Sequence, residues 1–411
     1  MHIKLPKNIK QFCYQNRYGL VCFFILLIHL YGNKQSSINN WAASSYGLHY
    51  GLGFGSRFMI GSILKLLSGD FVSHNEAHLF LLFHLSLLCG VLSYFINFLI
   101  KKSNYNKFVI YLCLLYLAHP GGITALWRIG IYGKLETYNL LYTLLSVSVF
   151  HRIRSVPIKY IVITALSLFN MAIYQGFVFL YYPIIVLIMT VDCYDNQQDK
   201  RRWIFTLSNI SFVFASFFVL RFATSTIFSN VQEMTHYLDQ NTSLEYLPFP
   251  LELEYFLPLS KAFKMVTSNI ISPYSYRLST FITAILLSPV IFIILSLWYY
   301  CMRRQTLKSS LSLPYLPAVL SLLLFLPQYI FNIDWGRWSI ALNTYAFFAT
   351  LYLYYTGFPK MQEAFQKAEK YLLKYSYLSI ALLIYVALLS RFLSIVPLAE
   401  VNHLLTPLIQ P

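Results

Sequence analysis

Apolar runs long enough to cross a bilayer alternate with short polar breaks along most of this chain. They fall at 18–32, 78–100, 108–120, 137–150, 158–173, 174–192, 203–224, 279–301, 314–331, 337–356 and 376–397. Each reads as a helix, because a hydrocarbon core about 30 Å thick takes roughly 20 apolar residues and tolerates no unsatisfied backbone. The pattern predicts an all-α polytopic membrane protein, one integral domain over 1–411 with about eleven transmembrane helices. The unbroken stretch 158–192 is too long for one helix and divides near Tyr174-Gln175-Gly176. Several runs are short, which predicts tilted or re-entrant elements around an outward-facing cavity.

Composition agrees, with 57% hydrophobic and 11% charged residues; soluble domains carry about a quarter charged residues. Lys4, Lys7, Lys10 and Arg17 precede the first apolar run as in a signal peptide. No small-residue cleavage site follows Gly32, so a retained first helix is expected. With that N-terminus in the cytoplasm, the basic residues collect in alternate segments: 101–107, 152–159, 200–202, 303–308 and 360–374. Acids collect in the others, at Asp70, Glu76, Glu136, Glu233, Asp239, Glu245, Glu252, Glu254, Asp334 and Glu400. This is the positive-inside pattern, and it puts the C-terminus outside. The formal charge of +16 is therefore a topology signal, and no nucleic-acid partner is expected. Residues 357–375 set Met361, Phe365, Ala368 and Leu372 on one helical face among lysines, which predicts an amphipathic helix resting on cytoplasmic lipid. No P-loop is present, and the six cysteines lack paired or metal-ligand spacing, so no cofactor, metal or disulfide framework is expected.

The unusual residues map to the outer side. A first external loop, 33–77, carries four glycines around Arg57 and an amphipathic piece up to Leu67, suited to a re-entrant turn. A second, 225–278, is acidic, broken by four prolines, and reads as a cap. His119-Pro120-Gly121-Gly122 breaks a helix at the outer boundary, ahead of Arg128, Lys134 and Glu136. Gln175 sits at the outer turn of 158–192, and Asp334-Trp335-Gly336-Arg337-Trp338 lies between two apolar runs. Singly, these residues have plain readings: Lys134 and Glu136 neutralising each other, Asp334 as a helix cap, Trp335 and Trp338 as interfacial anchors. Together, cations and acids on one side suit an anionic lipid-linked phosphate or pyrophosphate, gripped by arginine forks. A carboxylate, or a histidine among His49, His74, His78 and His119, could deprotonate an incoming hydroxyl.

Gly55-Ser56-Arg57-Phe58-Met59-Ile60-Gly61-Ser62, Tyr132-Gly133-Lys134-Leu135-Glu136, Ile173-Tyr174-Gln175-Gly176-Phe177 with Tyr181-Tyr182-Pro183, and Asp334-Trp335-Gly336-Arg337-Trp338 occur in an order that resembles bacterial surface-polysaccharide proteins. The family is that of the O-antigen and capsular repeat-unit polymerases (Wzy-type). Its pattern has Gly-Arg-x-Asp where this chain has Gly133-Lys134-Leu135-Glu136, which keeps the charges. It has His-Glu where this chain has Tyr174-Gln175, which removes a titratable pair and shifts weight to His119, Glu136 and Asp334.

The resemblance implies an enzyme of the bacterial cytoplasmic membrane that polymerises undecaprenyl-pyrophosphate-linked oligosaccharides on the outer face. It also implies contact with membrane lipid and with a chain-length regulator protein. Arg57, Arg128, Lys134 and Arg337 would hold pyrophosphate beside Trp335, Trp338 and Gln175, with Glu136, Asp334 or His119 as catalytic group. One alternative is a multi-spanning glycosyltransferase using a polyprenyl-phosphate sugar, with Asp70 or Glu76 as its acid. Such enzymes often carry a larger outer domain than the residues after 397 allow. The other is a polysaccharide flippase, which would show internal repeats and mid-membrane polar residues.

Overall fold

The computed structural model describes residues 7–33, 37–119, 121–127, 131–258, 260–261, 264, 289–303, 323–325 and 335–392. Its helices are α1 (Lys7–Gln15), α2 (Arg17–Asn33), α3 (Asn40–Gly47), α4 (Phe58–Ser68), α5 (His74–Lys102), α6 (Lys107–Ala118), α7 (Glu136–Arg152), α8 (Val156–Ile173), α9 (Phe177–Leu180) and α10 (Tyr182–Asp195). They continue as α11 (Lys200–Phe222), α12 (Val231–Asn241), α13 (Pro248–Leu251), α14 (Pro289–Arg303), α15 (Trp335–Tyr355), α16 (Pro359–Lys374) and α17 (Ser376–Phe392). The protein is all-α apart from two dipeptide strands, β1 (Gly53–Phe54) and β2 (Ser225–Thr226), paired antiparallel.

Four helical segments are long and apolar enough to cross a membrane: His74–Lys102, Lys107–Trp127, Val156–Ile173 and Lys200–Phe222. A fifth is reached if α16 and the start of α17, bent by 97°, count as one span. By length alone the described helices do not reach eleven spans. α7 and α10, at 17 and 14 residues, extend only about 25 and 21 Å at 1.5 Å per residue, short of a hydrocarbon core of about 30 Å. The stretch 158–192 breaks after Ile173, where Tyr174 is extended and the short α9 intervenes before α10. α16 buries Met361, Ala364 and Phe365 against the helix layer, so the face expected to rest on lipid meets protein, and Lys367 bonds Glu363 and Tyr300. All six cysteines are unpaired.

Sequence segments of like charge meet at the same ends of the layer. At one end Asp192 of α10 accepts Lys159 of α8 (3.2 Å) and Arg202 of α11 (2.5 Å). There too Glu369 of α16 takes the backbone N–H of Lys107 (2.7 Å) and the amide of Asn106 (2.8 Å), holding the start of α6. The opposite end gathers the first turns of α7 and α15 and the exit of α8. Over it the two long loops fold together. β1 pairs with β2, and Val72 bridges Thr242. A small apolar core of Leu48, Leu52, Phe58, Met234, Leu238 and Leu251 joins them.

The first loop is seated by close backbone approach. Asn39 N–H bonds the Tyr132 carbonyl (2.9 Å), and Tyr46 Oη donates to the Gly133 carbonyl (2.7 Å). A Cβ on Gly133, which lies at φ 87°, would stand 2.5 Å from Ile38 Cγ2. A Cβ on Gly61 would stand 1.9 Å from the Leu48 carbonyl oxygen, a backbone atom that cannot swing away. Gly61→Ala is therefore expected to lift α4 off the Leu48 segment, read as faster proteolysis of residues 48–70 with the spanning helices intact.

His49 ties the two loops. Its Nδ1 accepts the Gly51 N–H (3.1 Å), so Nε2 carries the proton and donates to Tyr237 Oη (3.0 Å). Lys65 Nζ, 3.3 Å from that same nitrogen, is then a charge neighbour whose bond goes to Asp70. Burial first, and Lys65 second, lower the His49 pKa, with Asp70 opposing. An unfolded cap takes up this proton as pH falls through about 6.5, while the folded one resists it. Cap stability is thus full above that pH and declines below it. Hydrogen-exchange protection in residues 231–241, taken relative to the intrinsic exchange rate at each pH, should fall from pH 7.5 to 5.5, and His49→Gln should flatten that dependence.

Candidate functional site

Two arginine–carboxylate pairs meet under the cap. Glu136 opens α7, where the exposed N–H groups of a first turn favour a carboxylate. It is buried, and it pairs with Arg337 from the first turn of α15, 201 residues away. Arg57 precedes α4 in a left-handed conformation (φ 75°, ψ −7°), uncommon for a residue with a Cβ. Its N–H bonds the Ala172 carbonyl at the end of α8 (3.2 Å). Its Nε lies 2.8 Å from Glu254 Oε2 without the alignment of a hydrogen bond, so the contact is an ion pair.

Tyr174 stands between the pairs. The Arg57 guanidinium lies over its ring, 5.2 Å from the centroid, and its hydroxyl is within electrostatic reach of Glu136, Arg337, Arg57 and Glu254. The Tyr174 carbonyl accepts Asn139 Nδ2 (3.3 Å). Glu254 comes from a π-helical turn, Glu252–Phe256, whose Tyr255 stacks on Phe58 (5.5 Å). Burial raises the Glu254 pKa, opposed by Arg57 and Arg221. Around the pairs Ser56 Oγ, Asn139 Oδ1, Asn170 Oδ1 and Gln175 Oε1 are buried without a hydrogen-bond partner. Buried polar atoms normally have partners, so this concentration marks a place adapted to water or a polar ligand.

The structure brings together Arg57, Glu136 and Arg337, with Gln175 adjoining through Tyr174. Lys134 is half-buried one turn before α7, where its carbonyl takes the Thr137 hydroxyl (3.0 Å). His119 is 1% exposed, and its Nδ1 accepts the Gly121 N–H (2.7 Å). This leaves a protonated Nε2, buried and unpartnered, in the Pro-Gly-Gly turn. Trp338 is also 1% exposed, with its indole N–H unpartnered. Its ring is core, which leaves no free face for a sugar or for the interface. Arg128 and Asp334 lie outside the described residues, as does the Trp335 side chain on the first turn of α15.

Glu254 is the residue that sequence reasoning passed over, and Tyr174, which the sequence marks only as a helix break, joins the site. Glu254 reads as one more loop acid, and only its place two residues after Glu252 in a proline-bounded apolar stretch sets it apart. Asp70 and Glu76, the acids of the glycosyltransferase alternative, are engaged elsewhere. Asp70 pairs with Lys65 (2.9 Å), and Glu76 closes a capping box with Ser73. Among the described residues no three of His, Cys, Asp and Glu form a ligand set for a metal ion.

Removing one member of a buried pair strands the other charge, at a cost of about 3–5 kcal/mol, whereas removing both is often near neutral. Glu136→Gln and Arg337→Gln should each lower thermal stability in detergent. The double variant should recover most of the loss, and purely additive effects would mean the two side chains are not paired. Comparison of the chain with protein-family models, curated proteins and solved structures finds no match.

Proposed function

We propose that this protein polymerises lipid-linked oligosaccharide repeat units on the outer face of the bacterial cytoplasmic membrane. It would transfer a growing glycan from undecaprenyl pyrophosphate to the next lipid-linked unit. The reading includes about eleven spans, a cytoplasmic N-terminus, an external C-terminus and a site that opens outward beneath the cap. The observation that carries it is the convergence of the Arg57–Glu254 and Arg337–Glu136 pairs on Tyr174.

In the resting protein each arginine is held by a carboxylate. A pyrophosphate offers the same planar fork a stronger, doubly charged acceptor, so substrate entry exchanges partners. Arg337 moves to phosphate oxygen and releases Glu136, and Arg57 does the same with Glu254. The freed Glu136 carboxylate takes the proton of the acceptor hydroxyl as its oxygen bonds the anomeric carbon. The bond from that carbon to the pyrophosphate oxygen breaks, and the leaving group departs with the electron pair onto the arginines. Arg128 and Asp334 are further candidates for the same clamp and base.

The test is a strain lacking the gene, complemented with variants and analysed for polysaccharide length. The deletion should leave lipid capped with single repeats. Arg57→Gln, which forfeits a charge-assisted hydrogen bond worth about 1.5–3 kcal/mol, should cut polymer about 10- to 100-fold at normal protein level. Full-length chains lacking a side-branch sugar would replace polymerase by branch glycosyltransferase. Repeats stranded in the cytoplasm would make the protein a flippase.

A further inference from the structure

At the end of the helix layer opposite the Glu136–Arg337 pair, α5, α7, α10 and α15 enclose a cavity of about 200 Å³. Phe95, Leu144, Leu187 and Phe348 are among its walls, which are almost wholly apolar. Its exposed end is aromatic and cationic. Phe98 and Tyr355 pack at 5.4 Å, His151 faces Tyr352 at 5.6 Å, and Lys102 lies over the Tyr355 ring at 5.7 Å. Arg152 lines the opening and is itself exposed. Among the described residues neither Lys102 nor Arg152 is paired with a carboxylate.

We propose that this cavity holds one acyl chain of an anionic phospholipid, with the lipid phosphate on Arg152 and Lys102. Size argues for a chain segment: pockets that enclose a whole small molecule run roughly 300–1,000 Å³. A volume of about 200 Å³ takes part of a chain whose remainder stays in the bilayer. Charge argues for an anion. Three helices, α5, α7 and α15, end here, and each C-terminus contributes about half a negative charge. Lys101, Lys102, Arg152 and Arg154 carry four full positive charges in the same region. The nearby Asp192 is already held by Lys159 and Arg202, which leaves the exposed Asp195 as the acid on α10. The balance is positive, and basic pockets between membrane helices recognise anionic headgroups. Tyr352 and Tyr355 supply rings with an apolar body and a polar tip, suited to the level where chain gives way to headgroup. The proposal stands apart from the polymerase reading, since it uses none of that site's residues.

Native mass spectrometry of the full-length protein in detergent tests it. The probes are phosphatidylglycerol, phosphatidylethanolamine with the same chains, and a polyprenyl phosphate. Wild-type protein should retain phosphatidylglycerol about tenfold over phosphatidylethanolamine and over the polyprenyl phosphate. Lys102→Gln with Arg152→Gln should erase the preference between the two phospholipids. Ser148→Phe, which fills the cavity, should reduce retention of both. Equal retention of the two phospholipids by wild-type protein overturns the proposal without reference to any variant's folding. Preferential retention of the polyprenyl phosphate overturns its choice of occupant.

Discussion

A charge inside an apolar helix layer must find a countercharge, and the Glu136–Arg337 pair is where that constraint shapes this protein most. Both residues lie in first helical turns, and their side chains are 5% and 17% exposed. Left alone, either would carry an uncompensated desolvation penalty. The pairing therefore fixes the start of α7 against the start of α15 and, through Tyr174, the exit of α8. At the other end Asp192 does the same for α8, α10 and α11 with two cations. Apolar packing fills the space between, but it is non-directional. The ion pairs supply register, because a buried charge is satisfied only where its countercharge stands.

The cap follows from the same demand. Arg57 is held at a left-handed position by its N–H bond to Ala172 and by the packing of Phe58 into the small loop core. Its guanidinium then faces the layer and needs an acid, which the second loop delivers as Glu254. The loops are consequently more than coverings. β1–β2 pairing, the Val72–Thr242 bridge and the His49–Tyr237 bond bring residues from two distant segments to one cation.

Much of this architecture was legible from residue patterns. Apolar runs read as helices because 3.6-residue periodicity and burial are local properties. The break at Tyr174-Gln175-Gly176 and the amphipathic face of 357–375 are local too, and the described helices have both. The basic segments 152–159 and 200–202 do meet at one end, where Lys159 and Arg202 share Asp192, while Glu136 and Arg337 lie at the other. Partner choice was not legible. Lys134 lies two residues from Glu136, yet the Glu136 carboxylate is engaged by Arg337. Only the crossing of α7 and α15 decides that. Trp338 carried the signature of an interfacial ring and is core instead, because burial depends on which face of α15 meets its neighbours. Glu254 stood out only by its place in a proline-bounded apolar stretch, since its role exists only once two loops have folded together. Arg128 and Asp334 lie outside the described residues.

The two carboxylates are not equivalent, and on the proposed reading the difference matters. An arginine that must receive pyrophosphate cannot wait unpaired in a buried place, so a carboxylate holds it until substrate comes. Releasing the arginine then leaves that carboxylate with its own desolvation cost. Glu136 keeps its place in the first turn of α7 after Arg337 leaves, where the helix N-terminus offsets part of the cost of a buried carboxylate. Among the described residues Glu254 keeps only Arg221 as a nearby cation once Arg57 leaves, and burial already raises its pKa. It can be relieved by taking up a proton when Arg57 departs, in the way buried carboxyls generally neutralise when unpaired. One pair is thus arranged to deliver a base and the other to let go of a cation cheaply. That asymmetry follows from where the two acids sit, one at a helix start and the other in a loop turn under an apolar cap.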